Sequence, residues 1–506
     1  MVLKINTIYF ALAFCLSMPS FAQKKKEDYD PKKTYSPTQL KEDFTFLRKC
    51  LDESHPGLNW YISKDSLDGI FDGFEKNLNE NLTERQFRNR LFPVLGEIRC
   101  GHSSLANSKE RMKYLEKNKT KYLPFEIIAL SNLSVQTPVY QLFIKENKSK
   151  DSTIKKGNEI MSIDGVSSKD IIKTMANSFL SDGYNQTHKY HILKENFQMW
   201  YPRMFEEKDT FLVEIRDSIG QIRELKMPCI NEKMFPFSKK NEAKKTYIYN
   251  TKKNKLTFDL DEKNKNIGIL TVKSFTMKGY PKLYRKTFRY LKEHKIEHLV
   301  LDLRGNGGGM IFHPGHLLSY LINEKEQAYT YREAKNPSFL EKVEGKGKGL
   351  KFTKWVFPKF REKWGVKTVK NDSIFHITIQ NRVREKNHYN GKLYILIDGG
   401  CFSATAYTAA FLKKHKRGLF IGEETGGGEK GCNAMVMNYL ELPNTKLRYR
   451  FPFFRVEHNV TPQAIGRGVF PDVNIKYDKK SRLEDKDLEM EKVRMVVENI
   501  FVPTGI

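Results

Sequence analysis

The stretch Leu299-Val300-Leu301-Asp302-Leu303-Arg304-Gly305-Asn306-Gly307-Gly308-Gly309 decides how this chain is read. Its first residues are an apolar strand, long enough to cross a buried sheet, and the strand runs directly into glycines. Glycine accepts positive φ and leaves backbone N–H groups uncovered, so such a loop is suited to bind an anion or an oxyanion. A dinucleotide-binding reading fails on spacing. After Gly305 and Gly307 the third glycine of that pattern would fall on Met310, and no phosphate-loop lysine follows.

Two further segments repeat the pattern. In Tyr394-Ile395-Leu396-Ile397-Asp398-Gly399-Gly400-Cys401-Phe402-Ser403-Ala404 a strand ends, glycines turn the chain, and Ser403 sits at the mouth of a helix over Ala404–Lys414. A hydroxyl there lies beside uncovered helix N-terminal donors, which suits covalent acyl transfer. Alone, Ser403 reads more readily as a plain helix cap. It is not the GxSxG elbow, because Cys401 and Thr405 occupy the glycine positions. The third segment, Gly418–Gly428, ends Ile421-Gly422-Glu423-Glu424-Thr425-Gly426-Gly427-Gly428. Strands over Asn266–Val272, His298–Leu303 and Lys392–Ile397, with helices over Pro281–Lys295 and Ala404–Lys414, predict an α/β domain with parallel pairing.

Upstream the pattern changes twice. Leu40, Phe44, Phe46, Leu47 and Leu51 recur at helical spacing until His55-Pro56-Gly57 stops them. Amphipathic stretches follow over Leu67–Leu78 and over Glu84–Ile98, the latter with Thr83 as N-cap. This helical module, residues 39–120, carries Gly101-His102-Ser103. Residues 121–230 read as short strands, Tyr122–Leu130, Val139–Lys145, Gly157–Ile163 and Thr210–Ile215, with a helix over Ser168–Phe179. The turn-strand-turn from Ile154 to Gly165 resembles a PDZ domain, a fold that captures peptide ends at a sheet edge. A connector over 231–262 leads into the last domain, 263–506. There Gly345–Lys370 is an insertion with nine basic residues against one acidic and interleaved Phe and Trp. It reads as a solvated face or as a contact patch for anionic membrane or glycan.

Met1–Gln23 has a basic start, a short apolar run and Ser20-Phe21-Ala22 at its close, so 1–22 reads as a signal peptide followed by a polar linker, 23–38. Phe14 before Cys15 argues against a lipid-attachment site. The formal net charge of +28 implies attraction to anionic surfaces, and export argues against nucleic acid as the partner. Five cysteines remain after processing, an odd number for an oxidising compartment, and Cys401 with Cys432 is the pairing to consider. No Cys/His spacing suggests zinc, so neither metal nor cofactor is expected.

The ordered series DLRGNGGG, IDGGCFSATA, IGEETGGG and Gly468-Val469-Phe470-Pro471-Asp472 resembles the tail-specific (C-terminal-processing) serine protease family. The resemblance implies a crotonase-like catalytic domain preceded by a PDZ-like module and a helical N-terminal module. It implies protein or peptide substrates, Ser403 as nucleophile, and an oxyanion hole from the N–H groups of Ala404 and Gly308, or Gly307. Many members take their base from a lysine whose position here is Gly428; Lys430 follows two residues later. The branch resembling tricorn peptidases uses a histidine ahead of the PDZ-like module, which His102 matches, and a histidine titrates near neutrality without special burial. The acidic partner of that branch has no carboxylate at its expected place, Ala464–Arg467, so Glu423, Glu424 and Glu457 are the candidates to orient His102, with Ser103 able to assist. The other readings are a peptide- or ligand-binding protein that keeps the fold without activity, and an esterase using the same serine.

Overall fold

The structure is a computed structural model that describes residues 29–118, 120–132, 139–206, 208–231, 247–310, 312–324, 327–333, 367–371, 374–380 and 386–500. The expected signal peptide and most of the basic aromatic insertion therefore lie outside the described residues. Among the described residues no helix is long and apolar enough to cross a membrane.

Four helices open the chain: α1 (Pro37–Ser54), α2 (Lys64–Lys76), α3 (Glu84–Gly96) and α4 (Lys109–Lys117). Ordered structure starts earlier than the expected linker boundary, because Thr34–Tyr35 pairs with Leu82–Thr83. In addition, Ser36 and Gln39 close a reciprocal capping box with Pro37 at the first helical position. Thr83 caps α3 with Gln86 in the same way. This region is not independent of the rest. Leu40, Phe44, Leu47 and Phe87 share one apolar core with Leu270, Leu301, Ile395 and Phe411. Asp43, fully buried on α1, accepts from the backbone N–H groups of Asn444 (2.6 Å) and Thr445 (2.9 Å), tying the first helix to a turn four hundred residues on.

The middle segment is an antiparallel sheet of β1 (Phe125–Asn132), β2 (Val139–Asn147), β3 (Glu159–Ile163), β4 (Thr210–Arg216) and β5 (Ile222–Pro228), in the order β5-β4-β3-β2-β1. Helices α5 (Ser168–Asn177) and α6 (Thr187–Met204) pack on it through Ile171, Met175 and Phe197. Helix α6 had no sequence expectation. A non-helical Asn196, an internal Pro202 and apolar residues scattered around the helix blur its 3.6-residue period.

The last half holds two sheets. The first runs Tyr249–Asn250, β6 (Leu256–Leu260), β7 (Ile267–Val272), β8 (His298–Asp302), β12 (Lys392–Ile397), β13 (Leu419–Gly422), β16 (Val473–Asn474). From β7 onward every pairing is parallel, as the βαβ pattern predicted. The connector reading of 231–262 is corrected, because β6 already belongs to this sheet. Helices α7 (Tyr280–Glu293), α8 (Phe312–Leu318) and α9 (Ala404–Lys414) cover it. The second sheet has the order β10 (Lys367–Asn371), β11 (Ile374–Gln380), β9 (Gln327–Glu333), β15 (Arg448–His458), β14 (Gly431–Glu441). Its long hairpin β14–β15 was not legible, since β15 is buried on both faces at its centre and contains Pro452, which breaks strict alternation. The short strand Ser104–Ala106 pairs with β15, Ser104 opposite Arg450. That long-range pairing carries the end of the helical region onto the last half of the chain.

Candidate active site

Parallel strands all point the same way, so the loops that follow β8, β12 and β13 emerge at one end of the sheet, where ligands of open α/β folds bind. These are the three glycine segments of the sequence. Asp398 fastens two of them together: its Oδ1 accepts from Gly305 N–H and from Gly400 N–H, both at 2.9 Å. Burial opposes its ionisation, but His191 beside it and these donors outweigh that and hold the carboxyl below its usual range.

Ser403 occupies the N-cap position of α9 with φ 55° and ψ −121°, and its side chain makes no capping bond. A non-glycine residue in such a conformation costs about 1–3 kcal/mol, and this kind of strain gathers at functional sites. The cap reading is thereby displaced. The hydroxyl instead meets His102, whose Nε2 lies 3.0 Å from Ser403 Oγ. Phe402 stacks between two imidazoles, His102 at 4.6 Å and His188 at 4.4 Å between ring centroids. It also explains Gly101, where an added Cβ would stand 2.7 Å from the Phe402 ring. Neither Phe402 nor His188 was flagged by the sequence. Phe402 lies beside the serine with nothing in its residue type to signal a stacking role, and His188 stands in α6, whose period is obscured.

His102 is buried, and burial lowers its pKa to about 3, with Arg450 and His188 adding repulsion. The imidazole is therefore neutral at neutral pH, the form in which Nε2 accepts a proton. Its Nδ1 is buried without a hydrogen-bond partner. That corrects the expected orienting glutamates. Glu423 faces Lys194 at 3.9 Å. Glu424 is held by Arg467 and by the Gly468 N–H, and Glu457 faces Arg455 at 3.0 Å. Ser103, the expected assistant, faces Cys100 and Tyr449. Lys430 also lies elsewhere, donating to the carbonyls of His458 (3.3 Å) and Val460 (3.0 Å). Gly428 has no room for a lysine, since a Cβ there would stand 2.5 Å from Gly431 O.

Gly308 is placed against the nucleophile, but its N–H donates to Asn306 Oδ1 at 2.9 Å. The expected pair of oxyanion donors is corrected to this extent: the Gly308 N–H is engaged within its own loop. Gly308 provides space. At φ 96°, a Cβ would meet Phe402 O at 2.7 Å, Ser403 Cβ at 2.8 Å and Ala404 N at 2.9 Å. Gly308→Ala therefore displaces Ser403 and Ala404, and we expect kcat to fall by about 100-fold, the usual consequence of a misplacement near 1 Å. Steady-state kinetics beside a thermal melt checks this; unchanged kcat would show that the loop yields instead.

Cys401 and Cys432, the pair considered from the sequence, are not joined: Cys50, Cys100, Cys229, Cys401 and Cys432 are all free thiols. Cys401 Sγ donates to Leu303 O at 3.1 Å inside the nucleophile loop. A ring nitrogen of His102, a carboxylate oxygen of Asp182 and Cys432 Sγ lie within 4.8 Å of one another, all three residues buried.

Residues 266–475 match the model of peptidase family S41. The matched region contains all three glycine loops and Ser403, and excludes His102. A tail-specific protease of Haemophilus influenzae is 24% identical over 240 residues, 46% of this chain and 28% of that relative. The chain thus spans well under half the length of the curated relative it matches. Among solved structures, mature CPAF superimposes with a TM-score of 0.62 at 14% identity, over 91% of this chain and 98% of that one. Its s499a mutant gives a TM-score of 0.63 at 13% identity, over 93% and 99%. These likenesses are of fold, and they extend over the helical region and the middle sheet as well as the S41 segment.

Proposed function

We propose that the chain is an exported serine peptidase that hydrolyses peptide bonds of protein substrates, in the manner of the family S41 peptidases its catalytic segment resembles. The observation that carries the reading is the strained Ser403 with its hydroxyl 3.0 Å from a buried, neutral His102. Ser403 Oγ attacks the scissile carbonyl while Nε2 of His102 takes its proton. The C–N bond then breaks, Nε2–H protonates the leaving amine, and water resolves the acyl-enzyme by the same base. The Ala404 N–H, in the first turn of α9, faces the developing oxyanion with the helix dipole behind it. A purely ligand-binding reading leaves the strain at Ser403 without use.

Tail recognition belongs to the same proposal. A cleft of about 500 Å³ opens between the edge strand β1, at Ala129 and Leu130, the first turns of α6 and the loop carrying Glu423. An extended peptide end can add to such an edge through main-chain hydrogen bonds. The export reading rests on the composition of residues 1–22 alone, and the +28 charge favours acidic or surface-bound substrates. The purified chain should degrade an unstructured protein such as casein. It should also cleave a peptide with a free C-terminal carboxylate at least tenfold faster, in kcat/KM, than the amidated form. Equal rates on the two peptides would remove tail recognition and leave the peptidase; no cleavage of either, or of casein, would remove the peptidase.

A further inference from the structure

We propose that Asp182 is the positioning residue of this site, accepting the Nδ1–H of His102 directly or across one water. The inference rests on the peptidase reading above and names the member of the machinery that sequence comparison left open.

A histidine that serves as base through Nε2 must carry its proton on Nδ1, and an acceptor at Nδ1 is what fixes that tautomer. His102 has Nε2 committed to Ser403 and Nδ1 buried without a partner. Asp182 shows the complementary deficit. It is 2% exposed, its Oδ1 accepts from the Gly101 N–H at 2.8 Å, and its Oδ2 is buried with no donor. The two residues present ligand-competent atoms within 4.8 Å of each other. One water with a hydrogen bond of about 2.8 Å on each side spans that distance, and a small side-chain rotation closes it outright. A buried unpartnered donor on His102 and a buried unpartnered acceptor on Asp182, on two residues this close, are each other's natural partners. The remaining neighbour, Cys432, is a thiol whose ionisation burial opposes strongly, so it does not compete as an anionic acceptor.

Asp182 is also placed to act on geometry. The N–H it binds belongs to the residue before His102, and the Gly428 N–H on the loop after β13 lies near enough to favour its charged form. One carboxylate thus sits between the histidine loop and the third glycine loop. During acylation the Ser403 proton moves to Nε2, and the resulting imidazolium keeps its Nδ1–H towards Asp182. When the C–N bond breaks, the Nε2 proton leaves on the amine. Asp182 remains a carboxylate throughout.

This arrangement makes a pH signature. Burial raises Asp182 to about 7, opposed by the Gly101 and Gly428 donors, whereas His102 is lowered to about 3. The titratable groups facing Asp182 are His102, Cys100, Cys432 and Tyr61, and Arg450 and His188 lie against His102. As pH falls through about 7, Asp182 takes up a proton and the acceptor is lost while His102 is still neutral. The acid limb of kcat therefore belongs to Asp182.

The test is Asp182→Asn. Asparagine keeps an oxygen for the Gly101 N–H, so a merely structural role survives the change. We expect kcat at pH 8 to fall by about 10²–10⁴-fold with KM within about threefold, and the limb near pH 7 to disappear. A variant within threefold of the wild type that keeps the limb overturns the proposal. If the variant does not fold, the wild-type profile decides: a limb near pH 7 supports Asp182, and a flat profile down to pH 5 overturns it. A wild-type chain that hydrolyses nothing counts instead against the peptidase reading.

Discussion

Replacing Ser403 by alanine is expected to lower peptide hydrolysis by about 10⁶-fold, to the residue left by substrate binding and the oxyanion donors alone. The magnitude follows from the geometry. Without Oγ there is no acyl-enzyme, and among the described residues Ser403 is the hydroxyl that meets His102 Nε2. Stability should change little. Alanine inherits the φ of 55° and its strain, and only one hydrogen bond of about 1 kcal/mol is lost. The informative comparison is therefore kcat against melting temperature on the same preparation. Residual hydrolysis above about 1% with an unchanged melt would mean that the reaction does not pass through Ser403.

His102→Ala is expected to be nearly as severe, about 10⁴–10⁶-fold in kcat with KM largely retained. His102 reaches the serine through one contact of 3.0 Å and is pinned by Phe402 on its face and by the strand pairing of Ser104 with Arg450 behind it. Because serine and histidine act as a unit, the double variant Ser403→Ala with His102→Ala should be no worse than either single one. Additive losses in that cycle would show that His102 works on something other than Ser403. Lys430→Ala, by contrast, should leave hydrolysis within about threefold, since Lys430 serves backbone carbonyls of the β15 turn.

Much of the catalytic half was legible because its signals are local. Five residues from His298 to Asp302 are all buried in a parallel strand, and a run of that kind reads directly from composition. The glycines that follow announce where the backbone must turn. His102 needed the resemblance, for nothing near it in the chain distinguishes it from a capping histidine. What ties it to the site is the Ser104–Ala106 pairing with β15, a contact across more than three hundred residues. Asp182 was invisible for the same reason and a further one. It sits between α5 and α6 in a plain Ser181-Asp182-Gly183 turn, and its buried neighbours lie on two distant segments, around His102 and around Cys432. The glutamates were favoured because they stand near the motifs in sequence, yet Arg467, Lys194 and Arg455 neutralise them in place. The strain at Ser403 is likewise a property of the folded loop and has no signature in composition.

The most direct measurement is covalent labelling of the native chain with a fluorophosphonate, followed by mapping of the modified residue by mass spectrometry. A nucleophilic Ser403 served by His102 predicts one adduct, on Ser403, lost in Ser403→Ala, slowed by orders of magnitude in His102→Ala and unaffected in Lys430→Ala. An unlabelled Ser403 in folded protein, or a label that survives His102→Ala at full rate and vanishes in Lys430→Ala, would contradict it.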